Sequence, residues 1–296
     1  MTGRKTAADF HPAILEIFDG YVHGKLSKRE FIERAAKYAA AGVTGAMIFN
    51  QLRPDYALAQ QVKPDDPAIR TERPSVPSPK GNGAIAGLLA MPAKAKGKLP
   101  AVLVIHENRG LNPYIEDVAR RLAKAGYLAF APDALTSVGG YPGNDDKGRE
   151  LQAKLDPRKL FEDWVASFDF LRLHAKSTGK VGAVGFCYGG GICNALAVAC
   201  PELAASVPYY GRQPTAAEVP SINAPLLIHY AENDERINAG ALPYQAALLT
   251  HQKPFDVHYY PGTQHGFHND TTPRYDQAAA ELSWSRTMAF FGKHLR

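Results

Sequence analysis

Short apolar runs alternating with helical segments fill the chain from residue 85 onward. Residues 85–91, 101–105, 128–131, 181–185, 205–209, 226–230 and 257–260 are apolar almost throughout, the second run bounded by Pro100 and His106. Between them, residues 113–125 carry Ile115, Val118, Leu122 and Ala125 on one helical face, and 160–173 and 276–291 read as further helices. Strands that are apolar along their length are buried on both faces, and helices between them supply the cover. The pattern predicts an α/β fold with a mostly parallel central sheet and helices on both sides.

The first part of the chain reads differently. Ile14, Leu15, Phe18 and Val22 recur at helical intervals, and Ser27 with Glu30 three places on forms a capping-box signature for a second helix. Residues 63–83 are rich in Pro, Asp, Lys and Ser, as in a linker or surface-wrapping strap. The expected division is a helical extension and linker over 1–72 and an α/β domain over 73–296. Apolar content of 45% and charged content of 21% are those of a globular chain of 296 residues. A net charge of +5, with no run of Lys and Arg interleaved with aromatics, argues against nucleic-acid binding.

No apolar stretch reaches the roughly 18–20 residues of a membrane span. Ser27-Lys28-Arg29-Glu30-Phe31-Ile32, an alanine-rich stretch over 35–49 and Ala57-Leu58-Ala59 together resemble a degenerate twin-arginine export signal with cleavage after Ala59. Glu30, Glu33 and Lys37 interrupt its apolar core, and Phe31, Ala35, Tyr38 and Ala39 fit one packed helical face instead. A cytoplasmic protein is expected, with export as the alternative.

One turn carries chemistry. Gly185-Phe186-Cys187-Tyr188-Gly189 follows a strand and opens a helix over 190–199, the G-x-nucleophile-x-G pattern with Cys in the place more often held by Ser. Glycines two places on either side relieve collisions with the neighbouring strand and helix, and a helix N-terminus favours thiolate over thiol. The spacing is not that of G-x-G-x-x-G, and a Walker lysine is lacking, so no cofactor is expected. In this fold the acid and then the histidine follow the nucleophile in the chain. Asp234 stands in the loop after the run 226–230, and His265 in a Gly-rich loop before the last helix, although His268 and Asp270 stand close by. Cys187, Asp234 and His265 are the expected triad.

The loop after 101–105 reads His106-Glu107-Asn108-Arg109-Gly110. It lacks the second histidine of H-E-x-x-H, so no metal is expected. The backbone amides of Asn108 and Tyr188 are the expected oxyanion donors. Glu107 either takes the thiol proton or pairs with a cation such as Arg109. Of the three cysteines, Cys193 and Cys200 lack CxxC spacing and are expected to pack as small apolar residues.

VLVIHENRGLN, LAFAPD, KVGAVGFCYGGG, VPYYG, AENDERI and PGTQHGF, spread from about residue 83 to the C-terminus, resemble the dienelactone hydrolase family. The resemblance implies an α/β-hydrolase fold in which Glu107 takes the proton of Cys187 when substrate binds and the thiolate attacks a lactone carbonyl. It further implies that Asp234 orients His265, which then activates water. Two positions depart from the family: LTSVGGYPGNDD lacks a substrate-holding arginine, and Asn269 stands four residues after His265, where the family has another. Arg109, Arg212 and Arg236 are candidate replacements, and Tyr141 is a candidate pocket residue. The expected activity is hydrolysis of a small-molecule ester or lactone, a broad carboxylesterase or thioesterase being the alternative. A non-catalytic binding or thiol-redox protein is the reading from another class. A homodimer is one possible assembly, the N-terminal helices covering the sheet or a neighbouring subunit.

Overall fold

A computed structural model describes residues 5–40 and 42–296. Ala41, in the alanine-rich stretch of the export-like segment, lies outside the described residues. The strands are β1 (Ile69–Glu72), β2 (Ser75–Ser78), β3 (Gly83–Pro92), β4 (Leu99–Ile105), β5 (Leu128–Pro132), β6 (Ser177–Phe186), β7 (Ala205–Tyr209), β8 (Leu226–Asn233) and β9 (Phe255–Gln264). They form one sheet in the order β1-β3-β5-β4-β6-β7-β8-β9, with β2 paired to β3. The pairs from β5 through β4, β6, β7 and β8 to β9 are parallel, and those made by β3 are antiparallel. The expected α/β-hydrolase architecture is therefore present.

Helices α4 (Pro113–Lys124), α5 (Asp145–Gln152), α6 (Pro157–Leu173), α7 (Tyr188–Ala199), α8 (Glu235–Asn238), α9 (Ala241–Thr250) and α10 (Gln277–Leu295) belong to this body. Side chains alternate across each strand. Leu103, Ile105 and Ala183 join Trp164 of α6 and Leu196 of α7 on one side. Val102, Val104 and Val184 join Ile115 of α4 and Phe291 of α10 on the other. Both faces are covered, which explains why β4 and the centre of β6 carry no polar alternation. Cys193 and Cys200 lie in the first of these cores, as expected.

Before the sheet come α1 (Pro12–Val22), α2 (Lys28–Ala35) and α3 (Gly45–Leu52). They enclose an aromatic-rich core of their own that includes Ile14, Phe18, Tyr21, Phe31, Phe49 and Leu52. The capping box forms as expected: Ser27 Oγ accepts from the Glu30 N–H at 3.2 Å, and Glu30 Oε2 accepts from the Ser27 N–H at 2.7 Å. The extension is tied to the main body by the Asp55 N–H on the Thr271 carbonyl at 2.8 Å, by Tyr21 Oη on Asp146, and by the Arg149 guanidinium 4.4 Å from the Tyr21 ring centre. Among the described residues, no helix is long and apolar enough to cross a membrane.

Candidate active site

The strands β4, β6, β7, β8 and β9 run parallel, so their C-terminal ends open on one edge of the sheet, where open α/β folds place their ligands. Cys187 follows β6 and is the N-cap of α7, with φ 58° and ψ −113°. Left-handed φ is strained for a residue with a side chain, and here hydrogen bonds hold it: the Cys187 N–H donates to the Tyr209 carbonyl at 3.1 Å, and the Gly191 N–H donates to the Cys187 carbonyl at 3.2 Å. A Cβ on Gly185 would sit 2.2 Å from the Gly189 carbonyl oxygen, and one on Gly189 would sit 2.3 Å from the Ile105 carbonyl oxygen. Both glycines are thus required by close backbone approach, and the second contact sets the elbow against the end of β4. Only 7% of Cys187 is exposed.

Asp234, after β8, and His265, after β9, meet beside the thiol. The Nδ1–H of His265 donates to Asp234 Oδ2 at 2.5 Å, and Asp234 also caps α8 by accepting from the Ile237 N–H at 3.4 Å. This fixes the imidazole so that its buried Nε2 is left without a hydrogen-bond partner among the described residues. Burial opposes charge on the imidazole, but Asp234 and the Cys187 sulfur outweigh it and raise the His265 pKa to about 10. Burial likewise pushes the Cys187 thiol up, and the neighbouring His265 and His23 imidazoles outweigh it, holding the thiol well below its ordinary range. The arrangement favours a thiolate–imidazolium pair.

Glu107 is 2% exposed and is held by partners other than the thiol. Its Oε1 lies 3.3 Å from Arg109 Nη2, and its Oε2 accepts from Asn269 Nδ2 at 3.3 Å. Asn269, at the position where the family resemblance implied an arginine, thus holds the glutamate by a hydrogen bond, and Arg109 supplies the charge. Arg109 is committed on its other side to Asp145 at 3.1 Å, which also accepts from Tyr141 Oη at 2.8 Å and Tyr56 Oη at 2.9 Å. Tyr141 is therefore bound into the Arg109 network. His106 donates from Nδ1 to the Glu107 carbonyl at 2.5 Å and accepts the Ala134 N–H at Nε2, 3.1 Å, so it braces the turn that carries Glu107 and Asn108. Tyr188 is the first residue of α7, where a helix leaves its N–H unpaired. The Asn108 side chain donates to the Val22 carbonyl at 2.9 Å.

Of the remaining candidate arginines, Arg236 reaches the site: its Nη2 is 2.9 Å from His23 Nε2 and 3.5 Å from His265 Nδ1. Arg212 lines a cleft with Gln213, Pro214 and Thr215. His268 is elsewhere, its Nδ1 bonded to Tyr114 Oη at 2.6 Å, and Asp270 pairs with Arg121 at 2.6 Å. Of these neighbours, Asp234 and His265 are the pair that lies beside Cys187.

Three further residues at the site carry no local signal in the sequence. His23, the C-cap of α1, brings Nε2 to 3.3 Å from Cys187 Sγ. Arg274 is buried under the Phe18 ring at 5.2 Å, with Nη1 3.8 Å from Asp19. Tyr210 has φ 37°, its ring centre lies 4.9 Å from that of His265, and its buried hydroxyl has no hydrogen-bond partner among the described residues. Burial, Glu107 and Cys187 all raise the Tyr210 pKa, which keeps the phenol protonated and able to donate. The ring nitrogens of His23 and His265 and the sulfur lie within 4.8 Å of one another; His265 bonds the Asp234 carboxylate, and His23 bonds the Asp19 backbone carbonyl with the Asp19 carboxylate 3.1 Å away.

A sequence profile described as the dienelactone hydrolase family matches residues 85–295. The chain belongs to the dienelactone hydrolase family. A second profile, described as YqhI-like, matches residues 1–38, so the part of this hydrolase that carries His23 lies outside the dienelactone hydrolase match. A protein of Escherichia coli K12 described as a hydrolase fragment, YghX, is 64% identical over 115 residues, covering 39% of this chain and 98% of its own. A protein of Bradyrhizobium assigned as a 2-oxo-3-(5-oxofuran-2-ylidene)propanoate lactonase is 33% identical over 214 residues, covering 67% of this chain and 86% of its own. Among solved structures, a Klebsiella pneumoniae protein assigned as a dienelactone hydrolase superposes with a TM-score of 0.69 at 27% identity, over 76% of this chain and 99% of that one. Membership makes this chain an ester or lactone hydrolase acting on a small molecule.

Proposed function

We propose that the enzyme cleaves its ester or lactone through a thioester on Cys187. The observation that carries this reading is the thiol at a strained elbow, beside an imidazole whose other nitrogen is bound to Asp234 at 2.5 Å. The Sγ thiolate attacks the carbonyl carbon, and the backbone N–H groups of Tyr188 and Asn108 receive the oxyanion. The C–O bond breaks, and the leaving alkoxide takes the Nε2 proton of His265. Water then attacks the thioester while His265 Nε2 accepts its proton, and the thiolate departs from the carboxylic acid product. No cofactor enters any of these steps. In the resting arrangement Glu107 is neutralised by Arg109, so activation of the thiol by Glu107 would require that ion pair to open as substrate enters. The enzyme is expected to work in the cytoplasm with its N-terminal helices in place.

The cations at the site bear on the substrate class, Arg274 being turned to Asp19 at 3.8 Å. Asn269 stands on Glu107, Arg109 is committed to two carboxylates, and Arg236 is the candidate arginine that reaches the imidazoles. That favours a lactone or ester with at most one carboxylate over a dicarboxylic one. The test compares p-nitrophenyl acetate and an enol lactone with wild type, Cys187→Ala and Glu107→Gln, and follows the wild type by mass spectrometry under rapid quench. Cys187→Ala should abolish turnover, an acyl adduct should map to Cys187, and Glu107→Gln should lose less than about tenfold, since ion-paired Glu107 is not the base. Turnover retained in Cys187→Ala would overturn the thioester mechanism, and a Glu107→Gln loss equal to that of Cys187→Ala would assign the thiol proton to the glutamate.

A further inference from the structure

His23 lies 164 residues before the thiol in sequence and comes from helices outside the dienelactone hydrolase match, yet its Nε2 is 3.3 Å from Cys187 Sγ. Its other nitrogen is held as well, by the backbone carbonyl of Asp19 with the Asp19 carboxylate beside it. Nδ1 is 2.8 Å from the Asp19 carbonyl and 3.1 Å from Asp19 Oδ1, one helical turn back. The two imidazole rings stand 4.8 Å apart and nearly perpendicular, at 83°. One sulfur is thus served by two Asp–His pairs, Asp234–His265 from the strand ends and Asp19–His23 from α1. Packing alone does not ask for an imidazole so aligned, because an apolar side chain would close the same gap without a carboxylate behind it.

We propose that the N-terminal helices complete the catalytic site, His23 being a second acid–base residue on the Cys187 thiol, oriented by Asp19. The proposal rests on the reading of Cys187 as the nucleophile. In the resting enzyme His23 shares the thiol proton. In deacylation the departing sulfur regains its electron pair as the C–S bond breaks, and the His23 Nε2–H donates to it, while His265 is occupied with the proton of the attacking water. The work that a single imidazole performs in sequence is divided between two.

The charges facing His23 fit this role. Burial and the neighbouring His265 imidazole disfavour the imidazolium, but the Cys187 sulfur and Asp19 outweigh them and raise the His23 pKa. Asp19 is itself kept ionised: burial would raise its pKa, but His23, His265 and Arg274 hold it well below the carboxylate range. From α8, Arg236 Nη2 stands 2.9 Å from His23 Nε2 and Arg236 Nε stands 3.6 Å from Asp19, so the guanidinium, a donor only, competes with the thiol for Nε2 while the imidazole is neutral, and charging His23 requires that contact to open. Lone imidazolium against Arg236 would be repelled; paired with thiolate it is not.

The experiment uses the full chain with His23→Gln, His23→Ala, Asp19→Asn and His265→Gln. Thiolate is followed by absorbance near 240 nm and by the rate of iodoacetamide alkylation against pH, and turnover is followed on p-nitrophenyl acetate. His23→Gln should move the thiolate titration to higher pH and lower kcat by about 10²-fold, with Asp19→Asn between it and wild type. Free imidazole should restore turnover to His23→Ala in proportion to its concentration. The acyl-enzyme should accumulate in His23→Gln, because the step assigned to His23 follows acylation. If His23→Gln leaves both the titration and kcat unchanged, His23 is packing and the proposal fails. If turnover rises, the extension is a plug on the site and the proposal fails in the opposite sense. Retention of turnover in Cys187→Ala is a separate outcome, and it would remove the nucleophile reading on which the proposal depends.

Discussion

The strain at Cys187 and the charges around it belong to one design at the scale of single residues. A left-handed cysteine costs on the order of 1–3 kcal/mol, and it is tolerated because Gly185 and Gly189 leave room for the backbone that aims the sulfur outward. The same turn puts the sulfur at the start of α7 and beside two imidazoles, so that thiolate and imidazolium stabilise each other. The pH dependence follows. Below the thiolate pKa, which lies well under the ordinary thiol range, sulfur gains a proton and the nucleophile is lost. Above about pH 10, His265 loses the proton that the leaving alkoxide must take. The profile of kcat/KM should therefore be a broad bell, its alkaline limb near pH 10. Asp234→Asn removes the leading charge that raises the imidazole, so its alkaline limb should move down by more than one pH unit, with kcat reduced at the maximum. An alkaline limb unmoved by Asp234→Asn would mean that it reports a group other than His265.

Elements show where the sequence is a sufficient guide and where it is not. β4, β5 and β7 are legible because burial on both faces leaves only apolar residues to read, and α4 is legible from its single apolar stripe. β1 and β2 are read as linker because they are short edge strands: Ile69-Arg70-Thr71-Glu72 exposes three of its four residues, and Pro77 sits within β2. α9 escapes notice because its residues are apolar all round, with Pro243 in its first turn, and α5 because it is mostly charged. The proposed triad is readable because each member follows an element whose order the fold dictates. His23 is not, because a histidine at a helix C-terminus has no spacing rule linking it to a thiol so far along the chain. Its placement depends on the extension's own core, in which Phe31 lies between the rings of Phe18, Tyr21 and Phe49 at 5.7, 5.9 and 5.6 Å. Phe31→Ala should cost about 3–5 kcal/mol within that core. Hydrogen exchange should then quicken across α1 to α3 while β4 and β6 keep their protection, and turnover should fall toward that of His23→Gln. Equal quickening in β4 and β6 would show that extension and sheet unfold as one unit.

At the scale of the whole molecule, the contacts of the extension bear on the two readings of the first sixty residues. A cleavable export segment should make few contacts that the mature enzyme needs. Here Ala59, where cleavage would fall, is 2% exposed and packs into the core that α4 and α10 build on the sheet. Arg120 of α4 donates from Nε to the Val62 carbonyl at 2.7 Å, so the chain just beyond that point is pinned as well. Upstream, Tyr21, Tyr56 and the Val22 carbonyl, which accepts from Asn108, bind the segment to the rim of the site, and His23 enters it. Cutting after Ala59 would remove Asp19 and His23 together and uncover the thiol. The protein purified from its native host should therefore yield N-terminal peptides from upstream of Gln60, including the one that carries His23. Limited proteolysis of the folded enzyme should spare the Ala59–Gln60 bond for as long as the thiol stays slow toward bulky maleimides. Peptides beginning uniformly at Gln60 would make the extension a removable leader and leave the mature enzyme with a single imidazole. The His23 proposal would then hold for the precursor alone.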